Sequence, residues 1–307
     1  MGATLSLLLA AASWGLGTVI AKRAVGEIAP MTLLAIQLGS SVLSLTLLMR
    51  WRGVPLRDAA TPPILGRLGL LNPGAAYGLS LLGLASISAS LSVLLWALEP
   101  LLILVLAAAV LRERVGLAVV ALSGIAIAGL AAVAQPAMSA TASGVLLTVA
   151  GVVCCAVYTI VVRRSIAAAD STAQVVLAQQ VYALGLAIAL VGLGLVLGQG
   201  LGLASVTAIG LASAVLSGVL YYAVAYWFYL GALRSVPASI AAASFYLVPV
   251  FGVAGGFALL GESLSATQWL GVAVAGLAVA SILRRTAVRQ ASEAPPAEAA
   301  GLRLDAG

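Results

Sequence analysis

Charge is what this chain has least of. Asp, Glu, Lys and Arg make up 8% of its 307 residues, against 63% hydrophobic. An average soluble domain is about 25% charged. Fifteen basic and nine acidic side chains do not cover the surface of a water-soluble fold this size. The scarcity excludes a soluble enzyme, a nucleic-acid binder and a disordered protein. Histidine is absent, which excludes a His proton relay and a His-ligated metal. The two cysteines, Cys154 and Cys155, are adjacent in an apolar stretch. Neighbours on a helix point about 100° apart and do not bridge readily, so they read as small packing residues. No phosphate-cradling Gly-x-x-x-x-Gly-Lys-Ser/Thr run occurs, so ATP does not drive this chain through such a loop. No metal site and no cofactor is expected.

What the sequence has instead is long apolar runs, at roughly 3–21, 30–49, 65–84, 87–109, 116–134, 143–162, 173–197, 205–230, 238–260 and 266–283. Crossing ~30 Å of hydrocarbon takes ~20 helical residues, so these read as ten transmembrane helices of an all-α integral membrane protein. The runs do not alternate, which excludes a membrane β-barrel. The first run lacks a preceding Lys or Arg and is followed by Lys22-Arg23. It is therefore read as a span and not a cleaved signal peptide, despite the small residues Ala10-Ala11-Ala12-Ser13.

Direction follows from the basic residues. With the N-terminus on side one, alternate loops and the tail on that side hold 13 Lys and Arg, and side two holds only Lys22 and Arg23. Cytoplasmic loops carry the excess, so both termini are expected in the cytoplasm. The same bias accounts for the isoelectric point near 9.7 without nucleic acid. Residues 285–307, rich in Ala, Pro and Glu, read as a disordered cytoplasmic tail.

The chain repeats itself. Ala89-Ser90-Leu91, Pro100 and Glu113 match Ala238-Ser239-Ile240, Pro249 and Glu262 at one offset of 149, and Gly83 matches Gly231 at 148. Lys22-Arg23 and Arg163-Arg164 correspond near 141. Two halves of five spans follow, 1–135 and 143–284. Five is odd, so the second half enters the membrane from the opposite side, an inverted repeat of the kind that supports alternating access around a midplane site.

These residues carry a resemblance. Leu98-Glu99-Pro100-Leu101, an apolar run and Leu111-Arg112-Glu113-Arg114 resemble the end of a repeat in the drug/metabolite transporter superfamily, EamA-type. Val248-Pro249-Val250 and Leu260-Gly261-Glu262-Ser263-Leu264 are the partner segment. Ser13-Trp14-Gly15 in the first span fits the same family. The resemblance covers nearly the whole chain. It implies ten spans in two inverted five-helix repeats, and export or exchange of small organic solutes. Within the superfamily the chain looks most like the bacterial aromatic amino acid exporters, which implies an amino acid substrate and the bacterial inner membrane. Val248 stands where a second Glu would precede Pro249, so a carboxylate role carries over to one half only.

Glu99 is the one acidic residue in the middle of a span. A charge at the bilayer centre costs roughly 2.5–3.5 kcal/mol on insertion scales, so Glu99 should face protein or water. Two readings stand: a substrate-amine or proton-coupling group, or a neutral carboxyl bonded to backbone that Pro100 frees. Ser88, Ser92, Trp96 and Glu99 fall along one face of the fourth span. The 149 offset maps Trp96 onto Phe245, with Ser244 and Tyr246 beside it, so the fourth and ninth spans are expected to face each other across a cavity. The expected substrate-binding set is Trp14, Asn72, Tyr77, Ser92, Trp96, Glu99, Tyr158, Tyr226, Ser244, Phe245 and Tyr246, with Thr18 and Tyr222 as further candidates. Pro100 and Pro249 are expected hinges, and Pro73 is expected to kink the third span. Trp51, Tyr229 and Trp269 lie near span ends and read as interfacial aromatics. Gly74 with Gly78, and Gly252 with Gly256, read as close-packing pairs. Glu113 and Glu262 read as helix caps or ion-pair partners.

An intramembrane enzyme needs a His dyad, a metal box or clustered carboxylates, so no catalytic residue and no enzyme activity is expected. The leading reading is a secondary transporter of small amino acid-like metabolites, aromatic amino acids first, working as a monomer or weak dimer in a lipid bilayer. Other small organic solutes, quaternary or cationic drugs, and a channel-like facilitator are the alternatives.

Overall fold

A computed structural model describes residues 2–56, 62–84, 86–87, 92, 95–134, 141–260 and 265–293. Among them there is no strand; helices account for the architecture. Helices α1 (Ala3–Glu27) and α2 (Pro30–Trp51) are long and unbroken. Pro30 opens α2 in its first turn, where its missing N–H has no helical partner to lose.

The third apolar run is interrupted. It forms α3 (Pro63–Arg67), a 3-10 turn over Leu68–Leu70, a wide π turn over Leu71–Ala75, and α4 (Ala76–Leu84). Asn72 is extended at φ −146° and ψ 122°, and the Asn72–Pro73 peptide is cis. Proline removes a helical donor and pushes the residue before it out of the α region. The fourth run is not continuous either. A turn at Ala97 and Leu98 precedes α5 (Glu99–Val110), which starts afresh with Pro100 in its first turn. The fifth run is α6 (Leu117–Ala134).

The second half follows as α7 (Ala142–Ser165) and α8 (Thr172–Val196). Next come α9 (Ala208–Gly218), a π turn over Val219–Val224 and α10 (Ala225–Leu233). The ninth run is α11 (Ala238–Ala243), a 3-10 turn over Ser244–Tyr246 and α12 (Leu247–Leu260). The last helix is α13 (Ala266–Glu293). It continues through residues 285–293, which the composition had assigned to a disordered tail; residues 294–307 lie outside the described residues. Thr141 and Thr207 cap α7 and α9 by accepting from the backbone N–H of Gly144 (3.2 Å) and Gly210 (3.0 Å), as N-cap hydroxyls do.

Seven helical stretches of the described residues are long and apolar enough to cross a membrane. Ten were expected. The third run falls short because Pro73 breaks it, the fourth because it restarts at Glu99 and residues 85, 88–91 and 93–94 are not described. The fifth is a shorter apolar helix. The chain is a multi-pass membrane protein.

Its polarity is reversed relative to a soluble fold. Leu43, Leu47, Leu117, Leu146, Ile188 and Leu277 are exposed, while Gln37, Thr148, Gln179, Gln180 and Ser217 are buried. Buried amides repair what the irregular turns release. Gln179 donates to the Leu65 carbonyl (3.0 Å) and Gln180 to that of Tyr222 (3.3 Å). In hydrocarbon an unpaired carbonyl costs several kcal/mol.

Packing couples the two halves. α1 lies against α9, α10 and α12; α7 lies against α4 and α5; α2 packs on α8, and α6 on α13. Exchanging the halves maps these pairs onto one another. Glycine permits the closest approaches. A Cβ at Gly15 would sit 2.6 Å from Phe251 Cβ and the Val248 carbonyl oxygen, and one at Gly69 would collide with the Gln179 backbone. Of the expected pairs, Gly74 is tight, with a Cβ 2.9 Å from the Gly69 oxygen. Gly78 and Gly252 have only ordinary contacts. The tight point of the α1–α12 seam is therefore Gly15, because there the opposing backbone comes closest.

Two glutamates tie the halves at their ends. Glu113 accepts from the N–H groups of Ala238 (2.8 Å) and Ser239 (3.1 Å) and from the Ser239 hydroxyl (2.6 Å), capping α11. Glu27 accepts from the Thr207 N–H (2.7 Å) at the start of α9. Glu262 lies outside the described residues.

Candidate functional site

The interrupted helices meet. Asn72 precedes the first π turn's proline, Tyr221 and Tyr222 sit in the second, Glu99 opens α5, and Phe245 and Tyr246 form the 3-10 turn before α12. Irregular backbone at membrane depth is tolerated where it is buried in protein or lines a cavity, and here a cavity of about 380 Å³ opens among these turns. Its walls come from both halves. Trp14 and Thr18 of α1 and Tyr77 of α4 come from the first half; Tyr158 and Thr159 of α7 and Tyr226 and Tyr229 of α10 come from the second.

The walls are aromatic and interlocked. Trp14 meets Tyr226, Tyr229 and Phe245 edge-on at centroid distances of 5.5, 5.6 and 5.3 Å. Tyr77 contacts Trp96 at 5.5 Å, Tyr221 at 5.9 Å and Tyr222 at 5.5 Å. Tyr222 joins the clusters by stacking with Tyr226 at 6.4 Å. Edge-to-face pairs of this kind contribute about 0.5–1.5 kcal/mol each beyond area burial. Hydroxyls are anchored as well. Tyr226 donates to Asn72 Oδ1 (2.8 Å) and Tyr158 to Gln179 Oε1 (2.8 Å). Thr18 pairs with Tyr221 (3.0 Å) and Thr159 with Tyr229 (3.3 Å). These four bonds help to fix the planes of the Tyr158, Tyr221, Tyr226 and Tyr229 rings.

Some polar groups of the lining are not anchored by described residues, the buried Ser80 and Tyr246 hydroxyls among them. Glu99 is 8% exposed, lines the cavity, and makes no hydrogen bond or ion pair with any described residue; Pro100 follows it without a bond to its carboxyl. The Trp14 indole is 6% exposed and its Nε1 has no partner among the described residues. Among the described residues, no Lys or Arg lines the cavity. The arrangement can receive an apolar or aromatic body and a small number of polar atoms, the usual make-up of a small-molecule pocket.

All the side chains expected from sequence line this one cavity except Ser244. Ser244 is fully buried and donates to the Ala241 carbonyl at 2.7 Å. Its hydroxyl serves the 3-10 turn, which points Phe245 and Tyr246 inward instead. Pro100, Pro249 and Thr18 line the cavity; Tyr222 is buried behind Tyr77 and Tyr226. Ser88 of the expected stripe lies outside the described residues. Two readings are corrected. Tyr229 is no interfacial aromatic: it is 1% exposed and faces the cavity, one turn beyond Tyr226 on the same face of α10. Cys155 is not only a packing residue, because it too lines the cavity. Thr159, Tyr221 and Ser80 were not anticipated. A signal for Thr159 existed, since the 141 offset maps Thr18 onto it.

The comparisons with known proteins come to the same architecture. The profile of the EamA-like transporter family matches residues 1–135 and 142–284. A solved crystal structure, 23% identical, superposes with a TM-score of 0.72 over 91% of this chain and 96% of its own; at that identity it shows the shared fold. No curated protein matches the chain. With two matched halves that together span most of its length, the chain belongs to the EamA-like transporter family, within the drug/metabolite transporter superfamily.

Proposed function

We propose that this chain is a secondary transporter that exports small amino acid-like solutes, aromatic amino acids first among them, across the bacterial inner membrane by alternating access. Residues 1–135 and 143–284 act as two inverted five-helix repeats, ten spans in all, with both termini in the cytoplasm. The observation that carries the reading is the cavity: aromatic walls from both halves around one carboxyl that has no partner among the described residues. The rings take a planar side chain by offset or edge contact, and Glu99 takes the substrate ammonium. Interruptions at matching places in the two halves support the inverted repeat, and Pro100 and Pro249 supply hinges at one spacing.

The test is uptake by proteoliposomes of labelled Phe, Trp, Met, Thr and a quaternary ammonium compound, with and without a pH gradient. Saturable uptake of Phe and Trp above Met and Thr is the expected result. Flux of all five without saturation would establish a channel-like facilitator instead, and a preference for the quaternary cation would establish the organic-cation reading that the lone carboxyl and the rings also favour. Glu99→Gln separates its two roles: retained uptake with an unchanged pH dependence removes it from coupling.

A further inference from the structure

The polar lining of the cavity is divided between the halves. Among the described residues, every hydroxyl that the second half brings to it is committed or sealed. Tyr158 donates to Gln179, Tyr226 donates to Asn72, Tyr221 pairs with Thr18 and Thr159 pairs with Tyr229. The Tyr246 hydroxyl is buried out of reach, as are the Ser80 hydroxyl and the Trp14 indole N–H. The Cys155 thiol is a weak hydrogen-bond partner. The polar atoms left open all come from the third and fourth runs. Besides the Glu99 carboxyl, they are the Asn72 amide nitrogen and the Tyr77 and Ser92 hydroxyls. These line the cavity without a bond to a described residue and are not sealed within the protein. Asn72 is held in place by the Tyr226 hydroxyl, which donates to its Oδ1 at 2.8 Å. That bond uses the acceptor of the amide and leaves its two N–H donors. Tyr77 meets Trp96 at 5.5 Å, and so joins the third run, which carries Asn72, to the fourth, which carries Glu99.

We propose that Asn72 Nδ2 donates to the carboxylate of an α-amino acid whose ammonium meets Glu99, so that the first half binds the head group and the rings of both halves take the side chain. This rests on the transporter reading above and deepens it. Among the described residues no Lys or Arg lines the cavity, so a lone anion gains no counter-charge there. A zwitterion brings its own, since its ammonium lies beside its carboxylate. An amide donor to a carboxylate makes a charge-assisted bond, stronger than a neutral one, and the Tyr77 and Ser92 hydroxyls have donors of their own to add. Asn72 thus sets specificity for α-amino acids over amines that lack the carboxylate, and over purely anionic solutes. It is a binding residue in this scheme and takes no part in a chemical step.

The experiment measures half-saturation constants for phenylalanine and phenethylamine in proteoliposomes holding the wild-type full chain, Asn72→Asp or Tyr77→Phe. Wild type is expected to favour phenylalanine over phenethylamine by about tenfold or more. Asn72→Asp keeps the size of the side chain and the acceptor for Tyr226, and puts an oxygen where the donor stood. Its preference for phenylalanine is expected to fall by roughly ten- to hundredfold, the equivalent of a hydrogen bond to a charged acceptor, with phenethylamine held no more weakly than before. Tyr77→Phe keeps the ring and loses one hydroxyl; the same preference is expected to fall by roughly two- to tenfold. An Asn72→Asp variant that retains the preference, or that weakens both compounds equally, would overturn the inference, since Asn72 would then serve only to hold Tyr226. Wild type that takes up phenethylamine as well as phenylalanine would overturn it even if neither variant folds. Wild type that saturates with neither compound would defeat the amino acid transporter reading itself, and the inference with it.

Discussion

Pro100 and Pro249 hold the same place in the two halves, yet Glu99 stands before one and Val248 before the other. The same contrast runs through the cavity. The frame is matched: π turns over Leu71–Ala75 and Val219–Val224 interrupt the third and eighth runs, Tyr77 and Tyr226 lie 149 apart, and Thr18 and Thr159 lie 141 apart. The chemistry is not matched. Both halves supply rings, Trp14, Tyr77 and Trp96 from the first and Tyr158, Tyr221, Tyr226, Tyr229, Phe245 and Tyr246 from the second, but Glu99 and Asn72 come from the first half alone. On the proposed alternating-access reading, the matched frame serves the two mirrored openings and the unmatched lining serves to orient one substrate. Two carboxylates in one cavity would repel each other, and the proposed substrate ammonium calls for one.

Changes that erase or impose symmetry sharpen this contrast. The largest effect is expected from Glu99→Val, which gives the first half the residue of the second. Loss of a charged anchor worth about 1.5–3 kcal/mol should raise the half-saturation constant for phenylalanine at least tenfold, measured by proteoliposome uptake. If uptake is unaltered, the asymmetry has no bearing on the substrate. Next is Gly15→Val at the seam between α1 and α12. Its Cβ would meet Phe251 and the Val248 carbonyl, and overpacking by about 1–3 kcal/mol should lower the thermal midpoint in detergent. Gly39→Ala, where a Cβ meets nothing within 4 Å, is the control. Glu113→Ala removes the cap that the first half lends to α11. It should destabilise by about 0.5–2 kcal/mol, read in the same melting assay. The smallest effects belong to Thr18→Val and Thr159→Val. Each loses one tyrosine hydroxyl partner, worth about 0.5–1.5 kcal/mol. Comparable losses would confirm that the frame is matched; a loss at one alone would break the comparison.

Much of this was legible without coordinates because hydrocarbon imposes simple rules. Scarce charge, runs near twenty residues and one-sided Lys and Arg define a multi-pass helical protein before any contact is known. The cavity residues inside long runs, such as Trp14, Trp96 and Glu99, stood out because polar and aromatic groups there need a reason. Tyr229 did not, because a position near a span end is also where interfacial tyrosines sit. Ser244 misled for the opposite reason: a hydroxyl beside Phe245 looked like a wall and is spent on its own turn.

The sequence by itself determined the helical class, the multi-pass architecture and the two related halves, since apolar length and residue spacing are properties of the chain alone. Only the tertiary structure decided which broken segments converge, that Tyr229 and Cys155 turn inward, and that the Glu99 carboxyl has no partner among the described residues. Pairing depends on which groups from distant segments come within 3 Å or so of each other, and no linear pattern records that distance.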